Sequence, residues 1–128
     1  MFKFKAKKVL VTGASRGIGK AIAQGFAMNG AQVSLVYRKE QTLADNLRNS
    51  LPGENHICVR SDVSVSEEAQ YAVSKTLDIF GSLDIVINNA GMYIDHPIAD
   101  VNFDDWQDAW KSTINTNLIG PANICYHA

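Results

Sequence analysis

The chain has 128 residues, which fits one domain. Apolar residues make up 46% and charged residues 20%, a composition that excludes disorder. With 12 basic and 13 acidic side chains the formal charge is -1, so there is no basic field for nucleic acid and no charged binding tail.

The N-terminal lysines Lys3, Lys5, Lys7 and Lys8 lead into a short β-branched run and read as solvated edge decoration. That run, Lys8 to Thr12, is the first expected strand, and it ends at a glycine cluster. Ile18 to Asn29 follows as a helix, with Ile18, Ile22, Phe26 and Met28 near helical spacing and Gly30 as its stop. Val33 to Tyr37 is the second strand and Thr42 to Ser50 the second helix, closed by the Pro52-Gly53 turn. His56 to Arg60 is the third strand. A third helix runs from Ser66 to about Phe80, with Glu67 and Glu68 matched to the dipole of its first turn and Gly81 as its stop.

Asp84 to Asn88 forms a fourth strand whose Ile85-Val86-Ile87 core is apolar on both faces, as in parallel sheets covered by helices on each side. The last helix begins at Asp104 or Asp105 and repeats Trp106, Trp110, Ile114 and Leu118 every four residues. Strands alternating with crossover helices imply an α/β fold, a three-layer, doubly wound parallel sheet of Rossmann type spanning residues 1–128. Four strands are fewer than the roughly six of a complete two-half dinucleotide fold, and the fourth would lie at an open edge. The natural chain is therefore expected to continue beyond Ala128.

Cys58 and Cys125 are far apart, without a Cys-x-x-Cys or a histidine at ligand spacing, so neither a disulfide framework nor a metal site is expected. No apolar run approaches the ~20 residues of a membrane span. Val9-Leu10-Val11 is too short for a signal-peptide core. The expected compartment is a reducing cytoplasm, with no membrane partner.

Chemistry concentrates in Thr12-Gly13-Ala14-Ser15-Arg16-Gly17-Ile18-Gly19, between the first strand and the first helix. Glycines there allow a tight turn and close approach of the backbone to a pyrophosphate, while the helix start offers amides and a positive dipole end. Ser15 and Arg16 add side-chain donors. The spacing G-x-x-x-G-x-G departs from G-x-G-x-x-G. It also fails as a Walker loop, which needs glycine at Ala14 and a hydroxyl residue at Ala21.

This loop, together with Asp62-Val63 and Asn88-Asn89-Ala90-Gly91, resembles the short-chain dehydrogenase/reductase family, in the correct order along the whole chain. The resemblance implies that Gly13, Gly17, Ile18 and Gly19 shape the coenzyme loop. It implies that Asp62 holds the adenine amino group, with Val63 against the ring, and that Asn89, Ala90 and Gly91 line the adenosine pocket. It further implies that Asn117, in Asn117-Leu118-Ile119-Gly120, uses its main-chain carbonyl to hold a water in a proton relay. A separate physical reason points to the same carbonyl: Pro121, four residues on, has no N–H to return to it and should bend the helix.

The family's serine and Tyr-x-x-x-Lys pair, which do its acid–base chemistry, are expected beyond Ala128. Tyr71-Ala72-Val73-Ser74-Lys75 has the right spacing but precedes Asn88-Asn89-Ala90-Gly91 and reads as an ordinary i,i+4 helix pair. This chain alone is therefore expected to be inactive, with a non-catalytic coenzyme-binding module as the rival reading. A structural or interaction role through the Trp106–Leu118 face is a third. His96 and Asp95, in the Met92–Phe103 segment that would shape the substrate mouth, read as loop residues.

For the coenzyme, NAD-binding folds place an acid at the end of the second strand, whereas NADP binders replace it and add a base. Here Tyr37 holds the acid's place, Arg38 follows, and Arg16 is within the loop, while Glu40 dissents from past the strand. NADP is expected over NAD, in an oxidoreductase moving hydride between nicotinamide and a small carbonyl or alcohol substrate. A 3-oxoacyl-carrier-protein reductase is one possibility within the family. The Trp106–Leu118 helix is the expected homo-oligomer contact.

Overall fold

The computed structural model describes residues 3–128. Four strands, β1 (Lys8–Thr12), β2 (Gln32–Tyr37), β3 (Ile57–Arg60) and β4 (Ile85–Ile87), form one sheet in the order β3-β2-β1-β4. Every neighbouring pair is parallel. Between them run α1 (Gly17–Met28), α2 (Gln41–Ser50) and α3 (Ser66–Phe80), followed by α4 (Phe103–Ile114), a π turn over Asn115–Ile119 and α5 (Gly120–His127).

Side chains of a strand alternate between the two faces of the sheet, and that alternation builds two cores. Val9, Val11, Val33 and Leu35 join Ala23 and Ala27 of α1 and Leu47 of α2 on one face. Leu10, Val36 and Val59 join Ala69, Ala72 and Val73 of α3 and Ile124 of α5 on the other. Each fully buried Val or Leu contributes roughly 1.5–3 kcal/mol, so the two faces together hold the sheet between its helix layers. Ser34 is polar on the second face, and its hydroxyl meets the Thr76 hydroxyl at 2.8 Å. Thr76 in turn donates to the Ala72 carbonyl at 2.8 Å, so this buried pair is satisfied.

The chain leaves β1 toward β2 and β3, then crosses to the opposite side of β1 for β4. The order of strands therefore reverses between β1 and β4. Open parallel sheets form ligand crevices outside the carboxyl ends of the strands at such a reversal.

Expected elements all occur, with shifted ends. α4 begins at Phe103, because the Asn102 side chain accepts from the Asp105 N–H at 2.8 Å and caps it. The core face of α1 is only partly the predicted apolar one: Ile22 and Phe26 pack against the core, but Gly19, Ala23 and Ala27 are its buried residues, and Ile18 and Met28 are exposed. Small residues win there because α1 packs close to the sheet. Lys7 and Lys8 are more than decoration. Lys7 pairs with Asp84 at 3.1 Å, the Lys8 amide donates to the same carboxylate at 2.9 Å, and Lys8 Nζ donates to the Phe80 carbonyl at the end of α3. The Trp106–Leu118 stripe faces outward, with Trp110, Ile114 and Leu118 exposed and only Ala109 of α4 buried. Among the described residues, no helix is long and apolar enough to cross a membrane.

Candidate functional site

A cleft of about 580 Å³ opens at the carboxyl ends of β1, β2 and β4. Its floor begins at the turn after β1. Gly13 and Gly17 have φ of 62° and 56°, the left-handed region that favours glycine. At Gly17 a Cβ would meet nothing within 4 Å, so the loop leaves open space there. Gly19 serves another end: a Cβ on it would lie 2.2 Å from the Gly13 carbonyl oxygen and 2.5 Å from Asn89 Nδ2. Gly19 therefore packs behind the cleft and is not among the residues that line it. Arg16 precedes α1 in extended conformation and makes no side-chain cap. The first turn of α1 thus opens on the cleft, through Gly17 and Ile18, with its N–H groups uncapped by any side chain.

Thr12 joins this loop to the strand on its other side. Its buried hydroxyl accepts the Asn89 N–H at 3.0 Å and the Ala90 N–H at 2.9 Å. Asn89 Nδ2 donates to the carbonyls of Thr12 and Gly13, at 3.1 and 3.2 Å. Asn89 therefore ties β4 to the glycine loop, and Asn89, Ala90 and Gly91 form the adjoining wall. Asn88 points elsewhere, donating from Nδ2 to Cys125 Sγ at 3.3 Å.

The opposite wall comes from the end of β2 and the turn after β3. Tyr37, Arg38, Asp62 and Val63 all line the cleft, as the sequence suggests, and Ser15 and Arg16 reach it from the loop. Arg38 Nη1 and Asp62 Oδ2 stand 3.8 Å apart. Asp62 Oδ1 accepts from the Ser64 N–H at 3.0 Å and the Ser64 hydroxyl at 2.6 Å. Burial raises the pKa of the Tyr37 phenol above its ordinary value, and Asp45 and Cys58 add to the rise. The ring is neutral at physiological pH and repels no anion.

Sequence reasoning missed Val36, Lys39, Ser61 and Thr116 on the walls; Met92 and Tyr93, from the segment expected to shape the substrate mouth, line it too, as does Glu40 from past the strand. Lys39 and Glu40 follow Arg38 directly, so position alone is the signal that would have found them. Thr116 carries no such signal; the contact of its hydroxyl with the Met92 sulfur at 3.2 Å exists only in the fold.

Asn117 does not line the cleft. It lies in the π turn, and its side chain brackets the Met92 main chain: Oδ1 accepts from Met92 N at 2.8 Å and Nδ2 donates to Met92 O at 2.8 Å. The helix around Pro121 is interrupted as a π turn rather than by a plain proline kink, with the Gly120 N–H reaching back to the Asn115 carbonyl. Tyr71 is half exposed on α3, and neither it nor Lys75 lines the cleft. In the 92–103 segment, His96 Nδ1 meets the Ile94 carbonyl, and its ring lies 5.7 Å from those of both Tyr93 and Trp110. Asp95 is exposed. Among the described residues, no group of three metal-ligating side chains comes together.

A cleft with amides at one helix start, two arginines and a carboxylate suits an anion linked to a polar base. The family model for short chain dehydrogenases matches residues 7–128. A glucose 1-dehydrogenase of Gluconobacter oxydans is 41% identical over 108 residues, covering 82% of this chain and 40% of that protein. A 3-oxoacyl-[acyl-carrier-protein] reductase of Synechocystis is 36% identical over 122 residues, covering 94% of this chain and 48% of the relative. A Burkholderia cenocepacia short chain dehydrogenase solved in complex with NADP superposes with a TM-score of 0.90 at 32% identity, covering 98% of this chain and 51% of its own. The chain thus spans about half the length of the curated relatives it matches.

Proposed function

This chain belongs to the short-chain dehydrogenase family, and from that premise we propose that it holds NADP(H) for an oxidoreductase acting on a small carbonyl or alcohol. The observation that carries the reading is the uncapped first turn of α1 opening on the cleft between Arg16 and Arg38. The open space at Gly17 admits a diphosphate to those amides, which the helix dipole makes favourable. Ser15 adds a hydroxyl donor beside them.

Arg38 and Arg16 receive the 2′-phosphate, because a guanidinium presents its donors as a fixed fork. Tyr37 occupies the place where a carboxylate would repel that phosphate. Glu40 is the opposing charge, and it is answered by Lys39, Arg38 and Arg16 on the same walls. Asp62 accepts from the adenine amino group, Val63 packs on the ring, and Asn89, Ala90 and Gly91 lie along the adenosine. The coenzyme, when bound, would give a hydride to a carbonyl or take one from an alcohol.

In this reading Asn117 has two duties. Its side chain fixes Met92 at the cleft wall, and its main-chain carbonyl holds a water of the proton relay. Pro121 supports the second duty, since it lacks the N–H that an α-helical turn would return to that carbonyl. In this reading Tyr71 and Lys75, exposed on α3, take no part in turnover. The 3-oxoacyl-[acyl-carrier-protein] reductase of Synechocystis makes a 3-oxoacyl group one substrate to try first. The exposed stripe through Trp110 and Leu118 is the surface through which copies associate.

The test is titration of the chain with NADP and NAD, followed by calorimetry. Tighter uptake of NADP is expected. Uptake of neither would end the reading, and a clear preference for NAD would overturn the choice of coenzyme.

A further inference from the structure

Glu68 does not line the cleft, yet it is bonded to two successive residues that do. Its side-chain Oε2 accepts the Asp62 N–H at 2.6 Å, and its main-chain carbonyl accepts the Ser61 hydroxyl at 2.8 Å. The turn after β3 is held from the other side as well, since the Ser61 N–H donates to the Tyr37 carbonyl at 2.8 Å and the Asp62 carbonyl accepts from Val65 N at 3.0 Å. Ser61 is buried, so this segment has little freedom except at Asp62.

The division of labour at the Asp62 carboxylate follows from these contacts. Oδ1 is taken twice by Ser64. Oδ2 meets only the Arg38 guanidinium, at 3.8 Å, among the described residues. A hydrogen bond from the main-chain N–H to a carboxylate is among the stronger kinds. It fixes the main chain from which the Asp62 side chain projects, and together with the Ser64 bonds on Oδ1 it sets where Oδ2 stands.

We propose that Glu68 is a positioning residue for recognition of the adenine 6-amino group: by anchoring the Asp62 main chain, it keeps Oδ2 aimed into the cleft. The proposal rests on the coenzyme reading given above and adds a residue that touches no part of the coenzyme. A carboxylate accepts from an amino group but is repelled by a carbonyl oxygen, so the ratio of affinities for adenine and hypoxanthine coenzymes reports the aim of Oδ2.

Calorimetric titration of this chain with NADP and with nicotinamide hypoxanthine dinucleotide phosphate reads that ratio directly. Wild type should favour the adenine form by about tenfold or more, the size of one charge-assisted hydrogen bond. Glu68→Ala should reduce the ratio by at least about threefold, whereas Glu68→Gln, which retains an acceptor for Asp62 N–H, should hold it within about twofold. Glu68→Asp, whose shorter side chain does not reach, should behave as Glu68→Ala and serves if the alanine variant fails to fold. An unchanged ratio in a folded Glu68→Ala or Glu68→Asp, whatever the overall affinity, overturns the proposal while leaving the coenzyme reading standing. Wild type that binds neither coenzyme removes both.

Discussion

Arg38 Nη1 stands 3.8 Å from Asp62 Oδ2 across one end of the cleft, with the two side chains 50% and 29% exposed. An ion pair this long and this wet is worth only about 0–1 kcal/mol. It orients Arg38 without committing it, so a phosphate can take the guanidinium at little cost. Arg38→Ala should therefore weaken NADP by about tenfold to a hundredfold and leave NAD within about threefold. Parallel calorimetric titrations check this, and an equal loss for both coenzymes would place Arg38 outside the phosphate site.

The glycine positions make opposite predictions within one helix. Gly19→Ala would put a methyl 2.2 Å from the Gly13 carbonyl oxygen, a backbone atom that cannot swing aside. A loss of roughly 2–4 kcal/mol is expected, at or somewhat above the usual cost of overpacking. Gly25 lies exposed in the same helix with nothing within 4 Å of a built Cβ. Gly25→Ala should gain roughly 0.5–1 kcal/mol, the ordinary helix propensity difference. Urea denaturation of the two variants compares them, and a stable Gly19→Ala would contradict the packing described for this loop.

Much of this was legible because period and punctuation agree. Short runs of Val, Ile and Leu, one ending at Gly13 and one following Gly81, alternate with crossover helices as in a buried parallel sheet, and the glycine spacing placed the cleft at the first turn. Ile18 and Met28 misled, because apolar spacing does not say which of two faces meets the sheet; the alanines at Ala23 and Ala27 took it by allowing close approach. Asn117 was singled out for its main-chain carbonyl, whereas its side chain grips Met92, 25 residues away in sequence. A contact of that separation leaves no periodic trace, and neither does the shorter one between Glu68 and the turn at Asp62, which joins a loop to a helix.

Thr12 makes a sharper test of polar satisfaction. Its hydroxyl is the acceptor for two main-chain N–H groups, those of Asn89 and Ala90. Thr12→Val keeps the shape and strands both donors, at roughly 1–3 kcal/mol for each. Thr12→Ser keeps the oxygen and should lose about 1 kcal/mol or less. Thermal unfolding of the pair separates shape from hydrogen bonding, and a loss in Thr12→Ser as large as that in Thr12→Val would mean that the methyl matters as much as the two hydrogen bonds.

Alkaline pH should loosen the fold through Cys58. Burial pushes its thiol up to about 11 from an ordinary 9.0, with Asp45 adding to the rise and Arg48 opposing the burial. The sulfur also donates to the Ala44 carbonyl at 3.3 Å, a bond that needs the proton. A group whose folded pKa is raised stabilises fully below its unfolded value and loses that contribution as pH climbs through the folded one. Stability should therefore decline between about pH 9 and pH 11, and the raised Tyr37 phenol acts in the same direction. Cys58→Ala should flatten this part of the profile measured by chemical denaturation. An identical alkaline slope in that variant would mean another group carries it.

The grip of Asn117 on Met92 gives a prediction that can be read at a single amide. Both bonds are 2.8 Å long, and they join the π turn to the wall that follows Gly91. The amide side chain suits this place because it offers one acceptor and one donor to the N–H and C=O of the same residue. Asn117→Ala removes both, so the Met92 amide should exchange with solvent at least about tenfold faster while the amides of β1 keep their protection. Asn117→Asp keeps the acceptor for the Met92 N–H but sets a carboxylate oxygen against the Met92 carbonyl, so its effect should be intermediate at neutral pH. It should ease as acidification protonates the new carboxyl and restores a donor. Hydrogen exchange followed residue by residue distinguishes these outcomes, and unchanged exchange at Met92 in Asn117→Ala would show that the wall is held by Thr116 and the strand instead.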